Sequence, residues 1–203
     1  MKFTLSILAL LAIAFLVGCS AKDTRDNKLS NSEITKLGKK YGGVYVFNKK
    51  FEKEIDDRER ERKEAIKELK GRDLGGGLYA VDTKPVDQKF PQILSNGKKY
   101  YTSTRSYEQD YKKAVNVSKK YINEVINFIG QEDYNKFKPS IDIGYFYVDN
   151  DEIVPIELSA TYSYQGTKFG LFGDEGRGFA LSRDEIRYTK GGNRFYLEDL
   201  ERR

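Results

Sequence analysis

Residues 139–165, PSIDIGYFYVDNDEIVPIELSATYSYQ, decide the fold. Ile141, Ile143, Tyr145 and Tyr147 alternate with Asp142, Gly144, Phe146 and Val148. After the polar stretch Asp149 to Glu152, Ile156, Leu158, Ala160, Tyr162 and Tyr164 alternate with Glu157, Ser159, Thr161, Ser163 and Gln165. A period of two with a turn between the runs predicts an antiparallel hairpin with one face buried and one wet. Upstream the period is helical. Tyr107, Tyr111, Ala114, Val115, Ile122, Val125, Ile126 and Ile129 recur every three or four residues, Ser106 and Gln109 fit a capping box, and Gly130 offers a stop. The spacing predicts one amphipathic helix from Ser106 to Ile129, lying on the sheet, with Lys112, Lys113, Lys119 and Lys120 turned outward.

Further from the hairpin the signals are shorter. Tyr41 to Phe47, Leu78 to Val81 and Lys98 to Thr104 read as strands, and so do 179–182, 185–189 and 194–197. Gly166 to Gly178 reads as a glycine-rich loop. Between Glu52 and Lys70, 15 of 19 residues are charged, with opposite charges four apart at Glu54/Arg58, Asp56/Arg60 and Glu59/Lys63. That spacing predicts a solvated, highly charged helix. The expected class is α+β: a mostly antiparallel sheet, one long amphipathic helix packed on it and one charged helix beside it.

Composition excludes much chemistry. The chain has 203 residues, no histidine, no tryptophan and a single cysteine. Without histidine there is no Ser/His/Asp or Cys/His nucleophile pair and no usual zinc site, and one cysteine permits no internal disulfide. Any catalysis must run on carboxylates, Lys, Tyr, Ser or Thr. No cofactor or metal is expected: Asp149-Asn150-Asp151 lacks the Gly and Glu that an EF-hand loop needs.

From Phe3 to Val17, 13 of 15 residues are apolar and none is charged, behind the single base Lys2. The run is too short to span a bilayer and reads as an export signal. At its end Leu16-Val17-Gly18-Cys19 resembles the lipobox of bacterial lipoproteins. In that family a diacylglyceryl group is attached to the cysteine sulfur, signal peptidase II cuts before it, and the new amino group is acylated. The resemblance therefore implies residues 1–18 as signal peptide, lipidation at Cys19, and a mature chain of 185 residues anchored by two or more acyl chains. Ser20 resembles the default for export to the outer membrane in lipoproteins of the enterobacterial type. Residues 19–40, polar and without apolar periodicity, read as lipidated cysteine and flexible tether, leaving 41–203 as a single domain.

The implied role is a lipid-anchored envelope protein, most simply a non-enzymatic binding or accessory module. Its expected partners are the membrane, through the N-terminal lipid, and an envelope protein or glycan; nucleic acid is excluded by the exported address. Tyrosine is abundant, with 15 residues. Tyr145, Tyr147, Tyr162 and Tyr164 on the hairpin, with Arg177 in the glycine-rich loop, are the candidate ligand-binding residues, although tyrosine could equally fill the core of a chain poor in other apolar residues. The runner-up is a carboxylate-dependent glycan hydrolase, with Glu157 and either Asp174 or Glu175 as the acid pair. Charge is uneven: residues 19–138 carry 27 basic and 19 acidic side chains, residues 139–203 carry 8 and 12. The basic portion suits anionic headgroups.

Overall fold

A computed structural model describes residues 29–174, 178–189 and 191–199. The elements in chain order are α1 (Asn31–Tyr41), β1 (Gly43–Val46), α2 (Lys49–Lys67), β2 (Arg72–Gly75), β3 (Leu78–Ala80), α3 (Lys84–Lys89), β4 (Tyr100–Tyr101), α4 (Thr104–Tyr111), α5 (Lys119–Ile129) and α6 (Gln131–Lys136). They continue as β5 (Ser140–Ile143), β6 (Phe146–Asp149), β7 (Glu152–Pro155), β8 (Glu157–Thr161), β9 (Ser163–Asp174), β10 (Gly178–Tyr188), β11 (Asn193–Tyr196) and a 3-10 turn, Leu197–Asp199. Helices and mostly antiparallel sheets make this an α+β fold.

The hairpin forms, and two sheets share it. Opposite residues keep one register throughout, from Ser140↔Thr161 and Ile143↔Leu158 to Phe146↔Pro155 and Asp149↔Glu152. Asn150 and Asp151 close it with left-handed φ of 47° and 62°, as a two-residue turn matched to strand twist requires. Midway the strands bend. The N–H groups of Ile156 and Glu157 both donate to the Tyr145 carbonyl, at 2.8 and 3.1 Å, and Phe47 N–H donates to the Ile156 carbonyl at 2.8 Å. Beyond the bend the base of the hairpin joins a four-stranded sheet ordered β11-β1-β8-β5, while its tip joins a three-stranded sheet ordered β4-β6-β7. Strand β11 closes the first sheet by running parallel to β1.

Three cores follow from this division. On one face of the four-stranded sheet Tyr45, Leu158, Ala160 and Tyr162 meet Ile34 and Tyr41 of α1 and Val125 and Ile129 of α5. At the bend, Ile156 meets Ile55 of α2, Leu94 and Tyr100, with Phe51, Tyr145 and Tyr147 around them. At the tip, Phe146 and Ile153 meet Tyr101 and Tyr107. Phe146, expected on the wet face, is therefore fully buried. The sheet at the tip is covered on both sides, so alternation there cannot distinguish an inner from an outer face.

The single helix expected over residues 106–129 is two helices. Ser103 caps α4, its hydroxyl accepting from the Ser106 N–H at 3.3 Å, and the helix stops at Lys112, whose φ is 55°. Tyr107 serves the tip core, whereas Val125 and Ile129 serve the main core. One straight helix cannot present one stripe to two sheets, and the irregular residues 113–118 absorb the change.

The tether expected through residue 40 ends earlier. Helix α1 opens with a capping box in which Ser30 N–H donates to the Glu33 carboxylate at 2.8 Å and Glu33 N–H donates to the Ser30 hydroxyl at 3.3 Å. Ile34 is fully buried, and Gly38 packs so closely on Thr189 that an added methyl would overlap its side chain. The glycine-rich loop expected over 166–178 is largely a strand pair: β9 and β10 form a two-stranded ribbon from Ser163↔Tyr188 to Asp174↔Gly178. The charged helix forms as α2, with Glu54 and Arg58 at 3.8 Å, but it is not solvated all round: Glu52, Ile55 and Arg62 are buried.

Helix α1 is thus part of the core, and this can be checked by denaturation. Ile34→Ala should cost about 2–5 kcal/mol, and Lys36→Ala on the exposed face of the same helix should stay within about 0.5 kcal/mol. Equal, negligible effects in urea unfolding would return α1 to the tether.

Candidate functional site

The four candidate tyrosines do not form a shared open face. Tyr162 is fully buried in the main core, where Tyr164 packs nearby. Tyr145 and Tyr147 pack at the bend, Tyr147 edge-on to Phe51 at 5.8 Å between ring centres. Tyr145 donates its hydroxyl to Asp56 at 3.1 Å, and burial pushes its pKa up to about 12. Tyrosine serves here mainly as core aromatic; the Tyr145 hydroxyl finds a partner, whereas that of Tyr162 is buried without a hydrogen bond. Arg177, Glu175 and Cys19 lie outside the described residues.

Glu157 has different neighbours from those expected. Position 174 ends β9, at the far end of the ribbon, whereas Glu157 begins β8. Register explains its surroundings. Glu157 lies opposite Val46 on one side of β1, and Arg194 lies opposite Val44 on the other, so both project from the sheet face that is turned away from the main core. The first two turns of α2 cover that face with Glu52 and Asp56, four residues apart. Arg194 pairs with the Glu52 carboxylate and stands 3.8 Å from Asp56.

Three carboxylates thus share one guanidinium. Burial raises Glu157 above the ordinary carboxylate range, against the attraction of Arg194, and burial raises Glu52 in the same way. Burial works against the charge of Arg194 too, yet Glu52, Glu157 and Asp56 hold its pKa above the usual value. One oxygen of Glu157, Oε2, is buried without a hydrogen bond. The arrangement sets a buried carboxyl beside an ion pair that ties α2 to the sheet. Among the described residues no group of His, Cys, Asp or Glu is arranged to hold a metal ion. Clefts of about 440, 510 and 170 Å³ open elsewhere, beside Tyr107 and Lys119, beside Arg62 and Asp110, and beside Gly42 and Thr189; none of the three borders Glu157.

The largest departure from an ordinary surface is the β9–β10 ribbon. Phe169, Leu171, Phe179, Leu181, Ile186 and Tyr188 are between 64% and 81% exposed. Soluble monomers rarely leave so many large apolar side chains together in water, and such patches mark interaction sites. A two-stranded ribbon is itself marginal without a third strand or a packed face. The strands expected at 179–182 and 185–189 are the body of β10, but their partner reads as a loop in the sequence because Gly166, Gly170 and Gly173 mask the strand pattern of β9. The alternation of Phe169 with Leu171 and of Phe179 with Leu181 was the available signal. A smaller ribbon, β2–β3, exposes Leu74, Leu78 and Tyr79 in the same manner.

No family model matches the chain, and no curated protein or solved structure shows significant similarity to it.

The Glu157 environment has a measurable consequence. The native carboxyl is raised above its unfolded value near 4.5, so the folded chain keeps this proton to higher pH than the unfolded chain does. Stability from the group is complete below about pH 4.5 and falls as pH climbs through the native value. Glu157→Gln should therefore melt above the wild type at pH 7 and together with it at pH 4. A lower midpoint at pH 7 would mean that attraction to Arg194 outweighs burial.

Proposed function

We propose that the protein is a lipid-anchored component of the bacterial envelope, fixed through Cys19, whose domain acts as a binding or accessory module and not as an enzyme. The observation that carries the binding reading is the β9–β10 ribbon with its six exposed apolar side chains. Supporting the anchor is the sequence around Cys19: the only thiol of the chain stands directly after the apolar run. Acyl chains contribute about 0.8 kcal/mol per buried CH₂, so two or more hold a protein stably on a membrane. Ser20 supports placement at the outer membrane. Supporting a non-enzymatic role is the use made of Glu157, which is engaged with Arg194 and the first turns of α2, away from the three clefts described above.

Thiol chemistry tests both halves of this reading. Labelled palmitate should enter the wild type and not Cys19→Ala. With Cys19 consumed as a thioether, Phe179→Cys and Lys120→Cys each supply one free thiol. In isolated envelopes a maleimide should label position 179 at least tenfold more slowly than in the purified protein, and position 120 equally in both. Palmitate retained by Cys19→Ala removes the anchor, and unprotected labelling at 179 removes the ribbon as contact element.

A further inference from the structure

The ribbon's charges indicate what covers it. Lys168 and Arg183 are directly opposite each other across the two strands, an arrangement of like charges that is unfavourable unless an anion lies nearby. Neither has an acidic partner among the described residues. Two acids of β10 are already engaged: Asp184 accepts from the Thr167 hydroxyl at 3.0 Å, and Glu185 pairs with Arg187 at 3.1 Å. The Arg183 guanidinium rests over the Phe172 ring, 4.7 Å from its centre. The pairing register shifts between Ala180 and Ser182, and Phe172, which the Arg183 guanidinium covers, lies opposite Ala180; Phe179 and Leu181, 81% and 77% exposed, stand in the same ribbon a few residues away along β10. The smaller ribbon repeats the combination: Arg72 is exposed beside Leu74, Leu78 and Tyr79, and has no ion pair among the described residues.

We infer that the β9–β10 ribbon is a membrane-contact element that lies on an anionic bilayer surface, with Lys168 and Arg183 at the phosphates and Phe179 and Leu181 at the acyl boundary. This rests on the reading of the ribbon as the binding element and names its partner. A phospholipid surface offers anion and hydrocarbon together, at any register along the ribbon, which suits an element that exposes apolar and basic side chains side by side. Basic residues near such a surface each favour binding by about fivefold, and buried apolar side chains add to this. The contact is additional to the lipid on Cys19 and would hold the domain down against the membrane.

The test uses residues 20–203, the mature chain without its acylated cysteine, which contains every described residue and no acyl group, in sedimentation with phosphatidylcholine vesicles that hold either no anionic lipid or one-third phosphatidylglycerol. The chain should pellet with the anionic vesicles at low salt, be released by half-molar salt, and ignore the neutral vesicles. The double variant Lys168→Glu/Arg183→Glu should bind at least tenfold more weakly with unchanged far-UV circular dichroism and unchanged melting. Absence of vesicle binding, or equal binding by the double variant, overturns the inference. So does a dimer mass that Phe179→Ser/Leu181→Ser abolishes, since a second copy would then cover the ribbon. If vesicle binding fails while position 179 stays protected in envelopes, a protein is the partner and only the lipid assignment falls; if protection fails as well, the binding reading falls with it.

Discussion

The fold depends on one hairpin held in one register. Between Ser140 and Thr161 every opposite pair keeps the same offset while the strands pass from one sheet to another. A slip of one residue would turn Leu158, Ala160 and Tyr162 out of the main core and bring Glu157 and Ser159 into it, so that alternation specifies the register strongly. The bend at Tyr145 adds a second function. Its carbonyl accepts two N–H groups, Ile156 turns into a separate cluster with α2, and Phe146 and Ile153 go on to a third. Helices α1, α2, α4 and α5 are then each placed by the segment of hairpin they cover.

The same geometry accounts for the polar cluster. On a sheet with one apolar and one polar face, the polar face needs a cover that satisfies charge. Glu52 and Asp56 supply it, at positions where α2 begins, and Arg194 on β11 answers them. Burying charges in this way costs desolvation that their mutual attraction only partly offsets, so the cluster is better understood as fixing where α2 sits than as a large source of stability. Lys49, over the Tyr196 ring at 4.7 Å, joins the same edge.

The parts of the fold legible in the sequence are those in which one signal answered to one environment. The alternation from Leu158 to Tyr162 named the buried face correctly, although Ile156, read onto the same face, packs with α2 instead, and the charge spacing from Glu52 onward named a helix. Elsewhere a local pattern served two masters. The apolar stripe from Tyr107 to Ile129 is continuous in sequence but divided between two cores, and only the tertiary arrangement breaks it at Lys112. Ile34, Leu37 and Tyr41 lie at helical spacing behind a capping box, yet the surrounding lysines made the segment look like solvated linker. The ribbon was half legible: its second strand was expected, but glycines at every few positions are what loops contain, and they hid the first strand and with it the pairing. Of the candidate site, the sequence singles out Glu157 only as half of an acid pair with Asp174 or Glu175, and Glu52 and Arg194 were not legible, because they join it from 105 residues before and 37 residues after.

These observations describe a domain whose stability is carried by one bent hairpin, with a ribbon standing outside its cores and free to meet a surface. Amide hydrogen exchange on the isolated chain tests that division most directly. The amides of residues 141–161 should exchange slowest, through global unfolding, while those of residues 166–173 and 179–184 exchange orders of magnitude faster through local opening. Exchange as slow in the ribbon as in the hairpin would show that the ribbon has packing of its own in the isolated protein, and would contradict the account.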